Sequence, residues 1–319
     1  MFRQILSRYL LLWLVLACLL AYFWPRLCGS GAVFDPFLLS RGMMQGLIAL
    51  TMLAIGSLLP WEEIRQVAKN WPKVLGGTAV QYLSMPLLAY AVSCCFGLEG
   101  GYFYGMILVG AVPGAMASNM LTLIARGNVS YSVGLTTSAT LLSPLVVPWV
   151  LVFFLGKFMA LDVGEMSQTL LLTVVMPVLI GFVLSQCFPF WKRLAQAAGE
   201  ILANLVIIWI IASVVAQNRA TLEHFPLFLV LPLLCVNLGG YTAGWLGGKC
   251  LRIDTRMSRA LIIEVGMQNA GLGTFLARQY FPDFPEAALC CAMYTFGCMF
   301  TGILLVQYLS ASHPSPHQP

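Results

Sequence analysis

The sequence predicts an all-α polytopic membrane protein of ten transmembrane helices, and three observations lead there. Hydrophobic residues make up 60% of the 319 and charged residues only 9%, against roughly 25% charge in a soluble domain. Mean hydropathy is +0.86. Apolar runs of about 20 residues, the length that crosses a bilayer, recur along the chain between short polar breaks. Too little charge is present to coat a wetted globule of this size, so lipid is the solvent for most of the surface. The net charge of +5 comes from basic residues scattered through the breaks and does not suggest a nucleic-acid partner.

Taken in order, the expected spans are 9–25, 42–60, 74–97, 102–126, 129–155, 167–189, 197–217, 225–248, 258–280 and 285–309. Val15-Leu16-Ala17-Cys18 faintly resembles a lipoprotein cleavage site, but Leu19 to Trp24 stays apolar where a mature lipoprotein turns polar. Tyr9 to Trp24 is therefore read as a retained first span. Trp61-Glu62-Glu63-Ile64-Arg65 through Trp71-Pro72-Lys73 reads as an interfacial segment with its Trp pair at headgroup depth. The tail 311–319 is polar, and His313 to His317 is expected to be disordered.

Lysine and arginine set the orientation. With the N-terminus inside, the inner breaks hold 12 of them and the outer breaks 5, out of the 17 present. The positive-inside rule then places both termini in the cytoplasm of a cell-membrane protein. The halves also echo each other: Thr122-Leu123-Ile124-Ala125-Arg126 recurs 152 residues later as Thr274-Phe275-Leu276-Ala277-Arg278, and Gly114 falls on Gly266. Five spans per copy invert the second copy in the membrane, a common transporter plan. The expected domains are a first five-helix repeat over 1–160 and an inverted second over 161–310.

Ten cysteines form no C-x-x-C pair, and only three histidines are present. Neither a disulfide framework nor a cysteine or histidine metal site is expected. The chemistry converges on Glu264, since the other eleven acidic residues fall in breaks or at span ends. A carboxylate near the bilayer centre costs at least about 2.5–3.5 kcal/mol and by default marks an ion or substrate path. No in-span lysine or arginine is available to pair with it, which leaves a proton, a bound cation or hydrogen bonds from neighbouring helices. Gly266, Gly271 and Gly273 weaken the helix by about 1 kcal/mol each, and Gln268 and Asn269 add side-chain carbonyls. A break there frees backbone carbonyls toward a cavity, and hard cations take several such oxygens.

Span 4 carries a matching interruption, Val112-Pro113-Gly114-Ala115-Met116-Ala117-Ser118-Asn119. Pro113 lacks an N–H and disrupts the preceding turn, so a second half-helix is expected from about Ala117. Two half-helix N-termini meeting at the crossing present positive dipole ends suited to an anion. Span 5 adds Ser132, Thr136 and Thr140 on one stripe, and Gln81 in span 3 is a further isolated polar group.

These stretches, Pro113 to Asn119 with Ala125-Arg126-Gly127-Asn128, and Glu264-Val265-Gly266-Met267-Gln268-Asn269, resemble the two signature segments of the bile acid:sodium symporter family. The resemblance implies two inverted five-helix repeats with broken spans 4 and 9 crossing in a core domain (spans 3–5 and 8–10), set against a panel domain (spans 1, 2, 6 and 7). It implies one sodium site of Ser118, Asn119, Ser132, Thr136 and Glu264. It implies a second of Gln81, Glu264, Gln268 and the carbonyls of Val265 and Met267. Asn269, with Met116, Ala117 and Ala270, would face the substrate. Met116 departs from relatives that carry a hydroxyl there, so substrate identity does not transfer.

The expected function is sodium-coupled symport of an organic anion by alternating access, the anion being a bile-acid-like sterol or a small carboxylate such as pantoate or pyruvate. Sodium is the coupling ion and no cofactor is expected. The partners are the anion, sodium and the lipid bilayer; oligomeric state is left open, with a monomer compatible. The alternative is a proton-coupled or exchange-type transporter resembling a sodium/proton antiporter. An arsenite-type permease lacks a cysteine at either crossing. An enzyme lacks a catalytic pair in the spans, and a structural or receptor role leaves Glu264 unexplained.

Overall fold

The computed structural model describes residues 10–27, 35–156, 160–223 and 227–311. Regular structure among them is helical, apart from one isolated antiparallel bridge between Gly114 and Gln268. The chain runs α1 (Leu10–Leu27), α2 (Arg41–Leu58), a short α3 (Trp61–Lys69) and α4 (Trp71–Cys95). The pair α5 (Gly100–Ala111) and α6 (Ala117–Ile124) precedes α7 (Val129–Leu155). Next, α8 (Val163–Leu170) joins α9 (Met176–Cys187) through a π turn at Leu171–Val175. After α10 (Pro189–Leu194) and a second π turn come α11 (Glu200–Gln217) and α12 (Arg219–Glu223). A 3-10 turn at Leu227–Leu229 opens α13 (Val230–Cys250), followed by α14 (Thr255–Gly266), α15 (Ala270–Tyr280) and α16 (Pro285–Ala311).

The protein is thus all-α and polytopic. Among the described residues, five helical stretches are long and apolar enough to cross a membrane: Trp71–Cys95, Val129–Leu155, Val163–Cys187, Leu227–Cys250 and Pro285–Leu309. Counting each of two bent helix pairs as one span raises the number to seven, and Leu12–Leu27 and Gly100–Ala111 are shorter apolar helices. The polar tail from residue 312 onward, and Arg3, Arg8 and Lys157 of the charge count, lie outside the described residues.

The interfacial stretch expected over 61–73 is divided. Pro60 is extended and stops α2, and α3 leaves at 81° to it with no buried residue and Trp61 exposed. Trp71-Pro72-Lys73 instead forms the first turn of α4, because a proline at the start of a helix gives up an N–H that has no partner there anyway.

Prolines shape the other helices too. Pro25 leaves the Ala21 carbonyl without its helical donor. The Arg219 Nε donates to that carbonyl at 2.9 Å, while its guanidinium pairs with Asp35 at 2.7 Å. The π turn ahead of Pro177 widens the ladder where that residue's missing N–H interrupts it.

Two packing groups result. α1, α2, α9 and α11 pack on one another, while α4 to α7 and α13 to α16 form the other group. α2 and α9 touch backbone to backbone, with Gly56 against Val178 and Gly181 against Leu53, where a Cβ would overlap main-chain atoms. Small residues at such contacts are the usual way apolar helices approach closely in lipid.

Candidate functional site

The site grows from two helix breaks that face each other. α5 stops at Ala111, just before Pro113, and α6 restarts at Ala117; α14 stops at Gly266 and α15 restarts at Ala270. Each extended segment satisfies the other's backbone. The Ala115 N–H donates to the Met267 carbonyl at 2.9 Å and the Asn269 N–H to the Pro113 carbonyl at 2.8 Å. Buried main-chain groups require such partners, so the two breaks stabilise each other. Gly114 sits directly against the Glu264 carboxylate, which a Cβ there would strike.

Glu264, in the last turn of α14, is fully buried. Its Oε2 accepts from the Ser118 hydroxyl at 2.5 Å and the Ser132 hydroxyl at 3.3 Å, and its Oε1 from the Thr136 hydroxyl at 2.6 Å. The hydroxyls come from α6 and α7, so one carboxylate joins three helices. Arg259, one turn earlier and also buried, donates instead to the Ala125 carbonyl at 2.9 Å and ties α14 to the end of α6. Asn119, also on α6, carries a buried Oδ1 with no hydrogen-bond partner among the described residues.

Beside this cluster lies a second. Gln81 of α4 donates its amide to Gln268 Oε1 at 3.1 Å, and Gln268 Nε2 donates to the Val265 carbonyl at 2.8 Å. Gln81 Oε1 is buried and without a partner among the described residues. The Val265 carbonyl therefore belongs to the Gln81–Gln268 pair, while the Met267 carbonyl, in the peptide bond leading into Gln268, accepts from the Ala115 N–H; each oxygen has a second lone pair.

A cavity of about 200 Å³ opens between the two packing groups. Met52, Ile55 and Val178 line one side, and Met116, Asn119, Thr136 and Asn269 the other. Asn269 caps α15, its Oδ1 accepting from the Leu272 N–H at 3.1 Å, which leaves its amide nitrogen as the donor it can offer the cavity.

The structure thus gathers Ser118, Ser132, Thr136 and Glu264 into contact and joins Gln81, Gln268 and the Val265 carbonyl, with Asn119 next to Ser118 and Met267 next to Gln268 in the chain. Met116 and Asn269 line the cavity. Ala117 and Ala270 do not; they begin α6 and α15, and Ala270 is buried. Sequence reasoning passed over Asn237 and Tyr294, which both hydrogen-bond the Gly266 carbonyl. A lone Asn in the apolar run Cys235-Val236-Asn237-Leu238 is the same signal that singled out Gln81.

Comparison with known proteins adds to this geometry. Residues 46–225 match the model of the Sodium Bile acid symporter family. The uncharacterized sodium-dependent transporter YocS of Bacillus subtilis is 32% identical over 265 residues, covering 82% of this chain and 81% of YocS. The probable sodium/metabolite cotransporter BASS1 of Arabidopsis thaliana chloroplasts is 32% identical over 270 residues, 84% of this chain and 66% of that protein. Its counterpart from Oryza sativa is 29% identical over 306 residues, 94% of this chain and 73% of that protein.

Proposed function

Because the chain belongs to the sodium bile acid symporter family, we propose that it carries a small organic anion across the membrane together with sodium. It is an integral membrane transporter and not an enzyme. The names of its relatives, a sodium-dependent transporter and sodium/metabolite cotransporters, point the same way. One observation carries the reading: the buried Glu264 carboxylate receives hydroxyls from α6 and α7 at the edge of a cavity between two helix groups.

Sodium is a hard cation that takes several oxygens, as calcium does. Ser118, Ser132, Thr136, Asn119 and Glu264 offer such a set, and Asn119 Oδ1 is an acceptor with no donor among the described residues. Gln81, Gln268, Glu264 and the Val265 and Met267 carbonyls offer another, with Gln81 Oε1 in the same condition. A cation among these oxygens neutralises Glu264 and ties α14 to α4, α6 and α7. The N-caps of α6 and α15, Met116 and Asn269, line the cavity, so the positive dipole ends of both helices lie near an anion held there.

The architecture proposed is ten crossings in two inverted five-helix repeats, with both termini cytoplasmic. In it, α5–α6 and α14–α15 are the fourth and ninth crossings, each broken at its middle. The group of α4 to α7 and α13 to α16 is the moving core, and the group of α1, α2, α9 and α11 is the panel. Alternating access is then movement of the core against the panel with the crossing as its fixed centre.

The cavity, at about 200 Å³, is smaller than the roughly 300–1,000 Å³ of pockets that enclose drug-sized ligands. Met116 adds bulk to its wall. Both favour a small carboxylate, such as pyruvate or pantoate, over a sterol. The test is uptake of labelled pyruvate, pantoate and a bile acid into proteoliposomes at fixed pH, with sodium replaced by choline. The expected result is sodium-dependent uptake of a small carboxylate. Uptake indifferent to sodium but driven by an imposed pH gradient would establish the proton-coupled alternative instead.

A further inference from the structure

The end of α14 leaves carbonyls without intrahelical donors, and the fold treats one of them unusually. The Gly266 carbonyl accepts two side-chain hydrogen bonds, from Asn237 Nδ2 of α13 at 2.8 Å and from the Tyr294 hydroxyl of α16 at 2.8 Å. Asn237 and Tyr294 are each 1% exposed. Asn237 is itself fixed, since its Oδ1 accepts from the Thr301 hydroxyl at 2.6 Å, and Thr301 lies 3.1 Å from the Tyr241 hydroxyl. Neither Asn237 nor Tyr294 lines the cavity.

The consequence follows from peptide planarity. The Gly266 carbonyl and the Met267 N–H belong to one plane, and that N–H donates to the Glu264 carbonyl at 3.3 Å. Holding the carbonyl therefore holds the plane. Gly266 packs against the Tyr241 ring, where a Cβ would strike it, and glycine's backbone is intrinsically freer than that of Val265 or Met267, so side-chain hydrogen bonds are what fix this plane. The flanking planes carry the carbonyl of Val265, which accepts from Gln268 Nε2, and that of Met267, which precedes Gln268 and accepts from the Ala115 N–H.

Resting on the sodium-coupled reading above, we infer that Asn237 and Tyr294 are positioning residues. By pinning the Gly266 carbonyl from α13 and α16, they direct the Val265 and Met267 carbonyls and so set sodium affinity. They do this without touching either the ion or the anion.

The test is sodium-dependent uptake by the full-length protein in proteoliposomes, titrated with sodium at saturating anion and with anion at saturating sodium. Tyr294→Phe keeps the ring and removes only the hydroxyl. Losing one such hydrogen bond is expected to raise the half-saturating sodium concentration by about threefold to tenfold. Asn237→Ala is expected to do the same, and the double variant to exceed either. Anion KM at saturating sodium, and maximal rate, should stay within about twofold of wild type, which a general loss of structure does not allow. A Tyr294→Phe protein with unchanged half-saturating sodium overturns the inference, as does a fall in maximal rate alone. If the wild-type protein itself ignores sodium, the functional reading fails and the inference falls with it. A sodium-dependent wild type beside an unshifted variant isolates the failure to the inference.

Discussion

The two helix breaks meet in one place but are built from different parts. The first is marked in the sequence by Pro113, which lacks a donor, and α6 restarts at Ala117 with no side-chain cap. The second has no proline. Asn269 caps its restarting helix, and Asn237 and Tyr294 hold its loose carbonyl. Their chemical contents differ as well. The first break, with α7 behind it, presents neutral hydroxyls and an amide; the second presents the only fully buried carboxylate among the described residues, together with main-chain carbonyls. The charge sits on the more elaborately supported of the two, and its hydrogen-bond partners sit on the other. Anything that binds Glu264 therefore bears on both halves at once.

Removing the charge should have the largest effect, because it deletes what the second break contributes and leaves the first intact. Glu264→Gln keeps the shape of the side chain. The loss of one partner from a buried charged contact is of the order of 3 kcal/mol, or about 100-fold in sodium affinity. Sodium titration of uptake reads it, and near-normal sodium dependence in this variant would dissolve the comparison.

The first break is probed next, through its hydroxyls. Ser118→Ala and Thr136→Val each remove a hydrogen bond to a charged group, worth about 1.5–3 kcal/mol. Half-saturating sodium should rise about tenfold or more in each. Ser132→Ala, whose contact is longer at 3.3 Å, should shift it less. An equal response at all three positions would mean that the distances do not rank their contributions.

Gly114→Ala tests how closely the halves fit. The new Cβ meets the Glu264 carboxylate, and overpacking of this kind typically costs about 1–3 kcal/mol. Uptake should fall by about tenfold while the protein still folds, as read by transport rate against thermal melting. The smallest effect is expected from Pro113→Ala. The cross-bonds of Ala115 and Asn269 remain and hold the break open, so uptake should change by less than about threefold, the scale of a single backbone hydrogen bond. A severe loss there would show that proline, rather than the crossing, maintains the first break.

Much of the site is legible in the sequence. Glu264 stands out by its cost, Pro113 by its missing donor, and Ser132, Thr136 and Thr140 by helical spacing. The restart of α6 at Ala117 follows from the same proline. What stayed hidden depends on contacts between elements far apart in the chain. Asn237 and Tyr294 are 29 and 28 residues from Gly266, and no local pattern links them to it. Local rules also leave element boundaries open. Trp71-Pro72-Lys73 is grouped with the interfacial stretch by composition, and helix-start chemistry makes it the first turn of α4. Ala117 and Ala270 fall inside the signature segments and begin α6 and α15, while their neighbours Met116 and Asn269 line the cavity. The five-residue echo of Thr122 to Arg126 in Thr274 to Arg278 is structurally uneven as well. α6 ends at Ile124 and Arg126 turns left-handed at φ 55°, whereas α15 continues through Arg278, which reaches the Leu39 carbonyl at 2.9 Å.

Radioactive sodium binding to the purified protein, wild type beside Glu264→Gln at one fixed pH, tests the central claim most directly. The account predicts saturable binding to the wild type that is lost, or weakened about 100-fold, in the variant, with melting temperature little changed. Equal sodium binding by both proteins would contradict it.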